Sequence, residues 1–215
     1  EKDLTRKKEL EKVAETCCWV PANPARTFYE AIQSFWFMFL MITPCTTAAA
    51  GRFDQYMYPF YKKDIEQGKI THDEVLELLM CLRIKDMQWN RTSGKINRQK
   101  NAGMAKWHNC TIGGQKADGS DASNELSHLI LEAARRCPTP HHTITLRVHE
   151  GTPEALMLKA VELVKTGIGM PAFVGDKSYI GYFVHHGVPL EDARNYALAG
   201  CIDAALPGKS CMMAV

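Results

Sequence analysis

Thr143-Ile144-Thr145-Leu146-Arg147-Val148-His149 alternates apolar and polar residues without a break. A period of two puts Ile144, Leu146 and Val148 on one face of a strand and Thr145, Arg147 and His149 on the other. The flanking segments have a different period. Upstream, Leu126, Leu129, Ile130 and Ala133 recur at helical spacing behind an N-cap at Asp121 or Ser123, and Pro138 and Pro140 close that helix. Downstream, Thr152 reads as an N-cap with Pro153 at the first helical position, and Leu156, Ala160 and Leu163 carry a helix towards Gly167. Asn109–Gly114 and Pro171–Val174 read as further strands, and short helices over 177–185 and 189–197 follow. Strands alternating with helices of crossover length predict an α/β fold with a parallel sheet, in one undivided unit over residues 1–215.

The N-terminal part reads as helical. Leu10, Val13, Ala14 and Cys17 give residues 1–16 an amphipathic helix. Pro24 to Ala31 opens a second helix running to about Ile42, with Phe28, Ile32, Phe35, Trp36 and Phe39 on one face, a stripe that suits a core better than a cofactor platform. Residues 43–50 read as a loop, and a helix is expected from there to Gln67, stopped by Gly68. Thr71 and Glu74 form a capping box ahead of Val75, Leu78, Leu79 and Leu82.

Composition excludes several classes. The chain is 46% hydrophobic and 23% charged with a formal charge of +2, an ordinary globular balance that favours neither nucleic acid nor an acidic membrane. Eight cysteines without a C-x-x-C pair fit a reducing cytoplasm better than a disulfide scaffold or a zinc knuckle. The charged residues 1–12 are no signal peptide, and the apolar run Phe35–Ile42 is far short of the roughly 20 residues that span a bilayer. Arg91, Lys95, Arg98, Lys100, Lys106 and Lys116 make an acid-free basic segment, read as a solvated loop or subunit contact rather than an anion site. His141-His142 and His185-His186 lack a spaced third ligand, so no metal is expected. The apolar end Cys211–Val215 suggests a piece of a longer protein.

One stretch carries candidate chemistry: Ala199-Gly200-Cys201-Ile202-Asp203, then Pro207-Gly208-Lys209. In an extended segment Cys201 and Asp203 share a side, their Cα atoms about 6.5–7 Å apart, facing one cavity. The other reading makes Cys201 a small buried hydrophobe.

Nine segments in order shift the balance: PARTFYEA (24–31), GRFDQYMYPFY (51–61), NCTIGG (109–114), DGSDASNELS (118–127), TLRVH (145–149), GMPA (169–172), DARNYA (192–197), GCID (200–203) and PGK (207–209). With them the chain resembles, over almost its whole length, the glycyl radical enzymes of the pyruvate formate-lyase-like superfamily. The resemblance implies the helix-rich part of a ten-stranded α/β barrel, the first half-barrel plus the cysteine loop, with the glycine radical domain absent.

It also implies that Cys201 carries a thiyl radical that takes hydrogen from a small organic substrate, which then loses water, CO2 or another fragment. Asp203 would serve as general acid or base, or as a structural carboxylate of the loop. Arg147 and His149 would contact substrate or orient neighbouring loops. The implied cofactor is a glycyl radical on a C-terminal segment, installed by an activating enzyme that uses S-adenosylmethionine and an iron–sulfur cluster. The full-length protein would form a homodimer.

The chain departs from the family pattern in several places. No R-V-x-G-Y segment is present, so these residues alone should be inactive. Asp203 stands where many of the lyases have glutamate, shortening its reach by about 1.5 Å. Ile202 beside Cys201 argues against pyruvate formate-lyase itself, whose site uses adjacent cysteines. Met212, Met213 and Ala214 hint at a less polar substrate, an aryl or alkyl acid. The competing class is a non-catalytic module derived from the family, used for assembly or binding.

Overall fold

The computed structural model describes residues 3–42, 49–88, 95–100, 108–140, 142–200 and 202–210. Two helices lead, α1 (Leu4–Trp19) and α2 (Phe28–Met41). Strand β1 (Ala49–Arg52) is followed by α3 (Phe53–Tyr56), α4 (Tyr58–Glu66), α5 (His72–Gln88) and α6 (Lys95–Lys100) before β2 (Asn109–Gly113). Helix α7 (Glu125–Arg136) connects β2 to β3 (Thr143–Val148), and α8 (Glu154–Val164) connects β3 to β4 (Ala172–Gly175). Then come α9 (Asp176–His185), α10 (Leu190–Ala193) and a hairpin of β5 (Ala197–Ala199) and β6 (Asp203–Ala205).

The first four strands pair in parallel in the order β1-β2-β3-β4. Helices α5, α7 and α8 pack on one face of the sheet, whereas α9 and α10 join a second cluster with Tyr196 and Leu198. That face is apolar. Cys110 and Ile112 of β2 and Ile144 and Leu146 of β3 join one core with Leu79 and Leu82 of α5, Leu126 and Ile130 of α7, and Leu156 and Ala160 of α8. The opposite face is left for the hairpin, which crosses β1 and β2.

Local signals in the helices are largely met. Thr71 and Glu74 exchange capping bonds: the Glu74 carboxylate accepts from the Thr71 N–H, and Thr71 Oγ1 accepts from the Glu74 N–H. In α2, Phe28, Ile32 and Phe39 are buried and Phe35 and Trp36 pack against the core. The cap of α7 is Asn124, not Asp121 or Ser123: Asn124 Oδ1 accepts from Leu126 and Ser127 while Ser127 Oγ accepts from Asn124 N–H. Asp121 is already engaged by the Ser123 N–H and hydroxyl.

Other expectations need correcting. Strand β1 begins where a loop was expected, because Ala49-Ala50-Gly51-Arg52 shows no alternation and its pairing is supplied by β2. The single helix expected up to Gln67 is two, parted at Met57, and Pro59 sits in the first turn of α4, where no N–H is needed. Thr152 does not cap α8, since its Oγ1 accepts from the His149 N–H and Pro153 takes the cap position. The helix expected over 189–197 ends at Ala193; Arg194 and Asn195 form a turn, and Ala197 opens β5. The apolar positions of α1 are exposed: only Thr16 of that helix is buried. No helix among the described residues is long and apolar enough to cross a membrane. Of the basic segment, only the backbone of α6 and residues from His108 onward are described, and His141 lies outside the described residues.

Candidate active site

The inner face of the sheet is polar and dry. Register places Arg52 of β1 beside Thr111 of β2, Thr111 beside Thr145 of β3, and Gly113 beside Arg147 in the next row. Thr111, Thr145 and Arg147 have no exposed surface, and Arg52 keeps 7%. Arg52, Thr111 and Arg147 bind the chain leading into the hairpin. Arg147 donates from Nη1 to Tyr196 O (2.8 Å) and from Nη2 to Arg194 O (2.9 Å). Arg52 donates from Nη1 to Asn195 Oδ1 (3.2 Å) and from Nη2 to Gly113 O (3.1 Å). Thr111 Oγ1 accepts from the Leu198 N–H at 3.0 Å.

Arg147 is itself held by a fully buried carboxylate. Its Nε and Nη2 donate to the two oxygens of Asp176, at 2.8 and 3.0 Å. A two-pronged pair of this kind fixes the plane of the guanidinium as well as its position. Tyr196 closes the group: its hydroxyl donates to Asp176 Oδ1 (2.8 Å), and the guanidinium carbon lies 3.8 Å from its ring centre. Burial, reinforced by the Asp176 carboxylate, raises the Tyr196 phenol well above its usual range, so it stays protonated. Burial and the neighbouring Arg147 charge push Arg52 down to about 10, which still leaves it a cation at neutral pH. Gly114, at φ 77°, lies directly under this group; a Cβ there would come within 2.5 Å of Arg147 Nε.

The expected site residues divide as follows. Cys201 lies outside the described residues. Asp203 opens β6 opposite Ala199, with an exposed side chain. On either side of Cys201, Gly200 has φ 55°, Ile202 is in a turn, and extended pairing resumes at Asp203, so the expected alignment of Cys201 with Asp203 lies outside the described residues. Arg147 is placed among Asp176, Tyr196 and Arg194, as described. His149 ties two loops together: Nδ1 accepts from the Gly151 N–H (3.2 Å), so the ring N–H sits on Nε2 and donates to Asp121 Oδ1 at 3.0 Å. Among the described residues no three histidine, cysteine, aspartate or glutamate side chains gather to hold a metal.

Sequence reasoning did not single out Arg52, Thr111, Asp176 or Tyr196. Three of them stand in quoted segments, GRFDQYMYPFY, NCTIGG and DARNYA, so a signal was present as pattern but carried no geometry. Asp176 had none, because a lone aspartate at the start of a helix reads as a cap.

A family model described as pyruvate formate lyase-like matches residues 1–214. The isethionate sulfite-lyase of Nitratidesulfovibrio vulgaris is 40% identical, over 97% of this chain and 26% of its own length. The 4-hydroxyphenylacetate decarboxylase glycyl radical subunit of Clostridioides difficile is 37% identical, over 97% of this chain and 24% of its own. The solved B12-independent glycerol dehydratase of Clostridium butyricum superposes with a TM-score of 0.89 at 36% identity, covering 97% of this chain and 27% of that one. The chain thus spans about a quarter of the length of the curated relatives it matches.

Proposed function

This chain belongs to the pyruvate formate lyase-like family of glycyl radical enzymes, and on that premise we propose that it supplies the hydrogen-transferring thiol, Cys201, of a glycyl radical lyase. In this reading its 215 residues are part of a longer catalytic domain whose glycine segment lies outside them. The observation that supports the reading is the polar inner face, where Arg52, Thr111 and Arg147 hold residues 194–198, the chain that leads into the segment Gly200-Cys201-Ile202-Asp203.

A glycyl radical supplies one-electron chemistry, taking a hydrogen atom without a charge. Cys201 gives up its S–H hydrogen, and as a thiyl it breaks one C–H bond of the substrate to re-form S–H. The substrate radical then eliminates a group, and the thiol hydrogen returns to the product. Such chemistry needs water kept out, and Arg147, Asp176 and Tyr196, which pack against the chain before the cysteine stretch, are fully buried. Asp203, on the strand that leaves the turn, moves the proton that elimination requires. Arg147 and His149 act through the loops they hold. The substrate is a small organic molecule, and the partners are a radical S-adenosylmethionine activating enzyme and a second copy of the full-length chain.

The test is Cys201→Ser in the full-length protein, activated anaerobically and assayed with isethionate, 4-hydroxyphenylacetate and glycerol. The radical signal in electron paramagnetic resonance should persist while all turnover is lost. Turnover retained by the serine variant would overturn the reading.

A further inference from the structure

Arg147 has five N–H donors, and four of them are committed, two to Asp176 and one each to the carbonyls of Arg194 and Tyr196. The residue has no exposed surface. Resting on the reading of Cys201 above, we infer that Arg147 is a positioning residue for that thiol, working as a clamp with Asp176 and Tyr196, and not a substrate contact.

The hairpin cannot place its own tip. Its strands have three residues each, and an isolated two-stranded hairpin is at best marginally stable in water. Its position comes from the chain before it. Two Arg147 bonds to backbone carbonyls, the Thr111–Leu198 bond and the Arg52–Asn195 bond fall within five consecutive residues. The other end of the clamp is equally fixed. Asp176 begins α9 directly after β4, and the same helix carries Tyr179, which stacks on Tyr196 at 5.2 Å and donates to Ile202 O at 3.2 Å. The residue after the thiol and the segment before it are therefore referred to the same two elements, β3 and α9. The ion pair is neutral as a unit and Tyr196 stays protonated, so the clamp adds no net charge beside a site of uncharged radical transfer.

Shape carries this function more than charge. A lysine at 147 keeps a cation for Asp176, but one ammonium cannot reproduce the planar fork that reaches Asp176 and both carbonyls together. Hydrogen-atom transfer needs the two heavy atoms in near contact, and a misplacement of about 1 Å costs on the order of 100-fold in rate.

The experiment needs no substrate. The full-length protein is activated anaerobically and moved into D2O. Cys201, now S–D, donates deuterium to the radical glycine carbon and becomes a thiyl. On the return step it removes either the hydrogen or the deuterium. Repeated passes replace hydrogen by deuterium, and the doublet from the glycine α-hydrogen collapses to a singlet at a measurable rate. Arg147→Lys should slow this collapse by on the order of 100-fold with the radical yield unchanged. In the unactivated protein, the same variant should speed amide hydrogen exchange over residues 194–206. Tyr196→Phe keeps the stacked ring and should slow the collapse less. Cys201→Ser should abolish it. Collapse that survives in Cys201→Ser would sink the reading of that thiol. Collapse lost in Cys201→Ser but unchanged in Arg147→Lys would sink the clamp alone. Should Arg147→Lys fail to fold, Thr111→Val, which removes only the acceptor for Leu198, is expected to slow the collapse about tenfold, and an unchanged rate there overturns the inference.

Discussion

Leu146 and Arg147 are neighbours on β3, and neither has any exposed surface. Leu146 points to the helices and is held by contact with other apolar side chains. Arg147 points to the hairpin and is held by Asp176 and by backbone carbonyls, partners 29 to 49 positions away in sequence. Burial on the first side is itself stabilising. Burial on the second costs free energy that the pairing must offset. The apolar side therefore accounts for the sheet and its helices, and the polar side for the location of residues 194–198. Specific direction is what a charged fork contributes and what a leucine cannot.

The comparison can be broken most severely at Asp176. Asp176→Ala leaves Arg147 buried and uncompensated and should destabilise by about 3–5 kcal/mol in chemical denaturation. The double variant Asp176→Leu with Arg147→Met should lie closer to wild type in stability than either single change, while still losing the ordering of residues 194–206. A double variant less stable than both singles would show that the inner face is a stability element after all.

On the other side, Leu146→Ala opens a cavity against the core and should cost about 2–5 kcal/mol. Its denaturation midpoint should fall while amide exchange over residues 194–206 keeps its wild-type pattern under native conditions. Selective loosening of the hairpin in that variant would erase the distinction between the two faces.

The smallest expected effect lies farther out, on α7 and α8. Glu132 accepts from Arg135 and Arg136 and pairs with Lys159, at 2.6 to 3.3 Å. The Arg135 bond leads, with Arg136 and Lys159 adding to it, in holding the carboxyl down at about 2 against the opposing effect of burial. A depressed carboxyl contributes its stability in full above its unfolded value of about 4.3, and loses it as the pH falls towards 2. Its arginine partners are half-exposed, so solvent screens the gain and the change should be modest. Acid titration of stability should be shallower in Glu132→Gln than in wild type over that window, with no change in the hairpin.

Much of the scaffold is legible along the chain. The alternation at 143–149 marks β3 and names its two faces correctly, the leucine and isoleucine spacing marks α5, α7 and α8, and Thr71 with Glu74 marks a helix start. Strand β1 was invisible because three small residues and an arginine carry no period, and the end of α10 was missed because Arg194-Asn195-Tyr196-Ala197 contains no glycine or proline to mark a stop. The ordered segments from 24 to 209 were enough to place the chain in its family.

By itself the sequence determined which residues of β3 share a side, where the long helices run, and that a cysteine stretch of family pattern closes the series. Only the tertiary structure decided that the polar side is dry, that Arg147 answers to Asp176 and Tyr196, and that Arg52 and Thr111 share the task. The physical reason is that a period of two reports the direction of a side chain and nothing of what lies there. Whether a polar face meets water or protein depends on a segment tens of residues later folding back across it, and hydrogen bonds to backbone carbonyls leave no mark in the identity of the residues that own them.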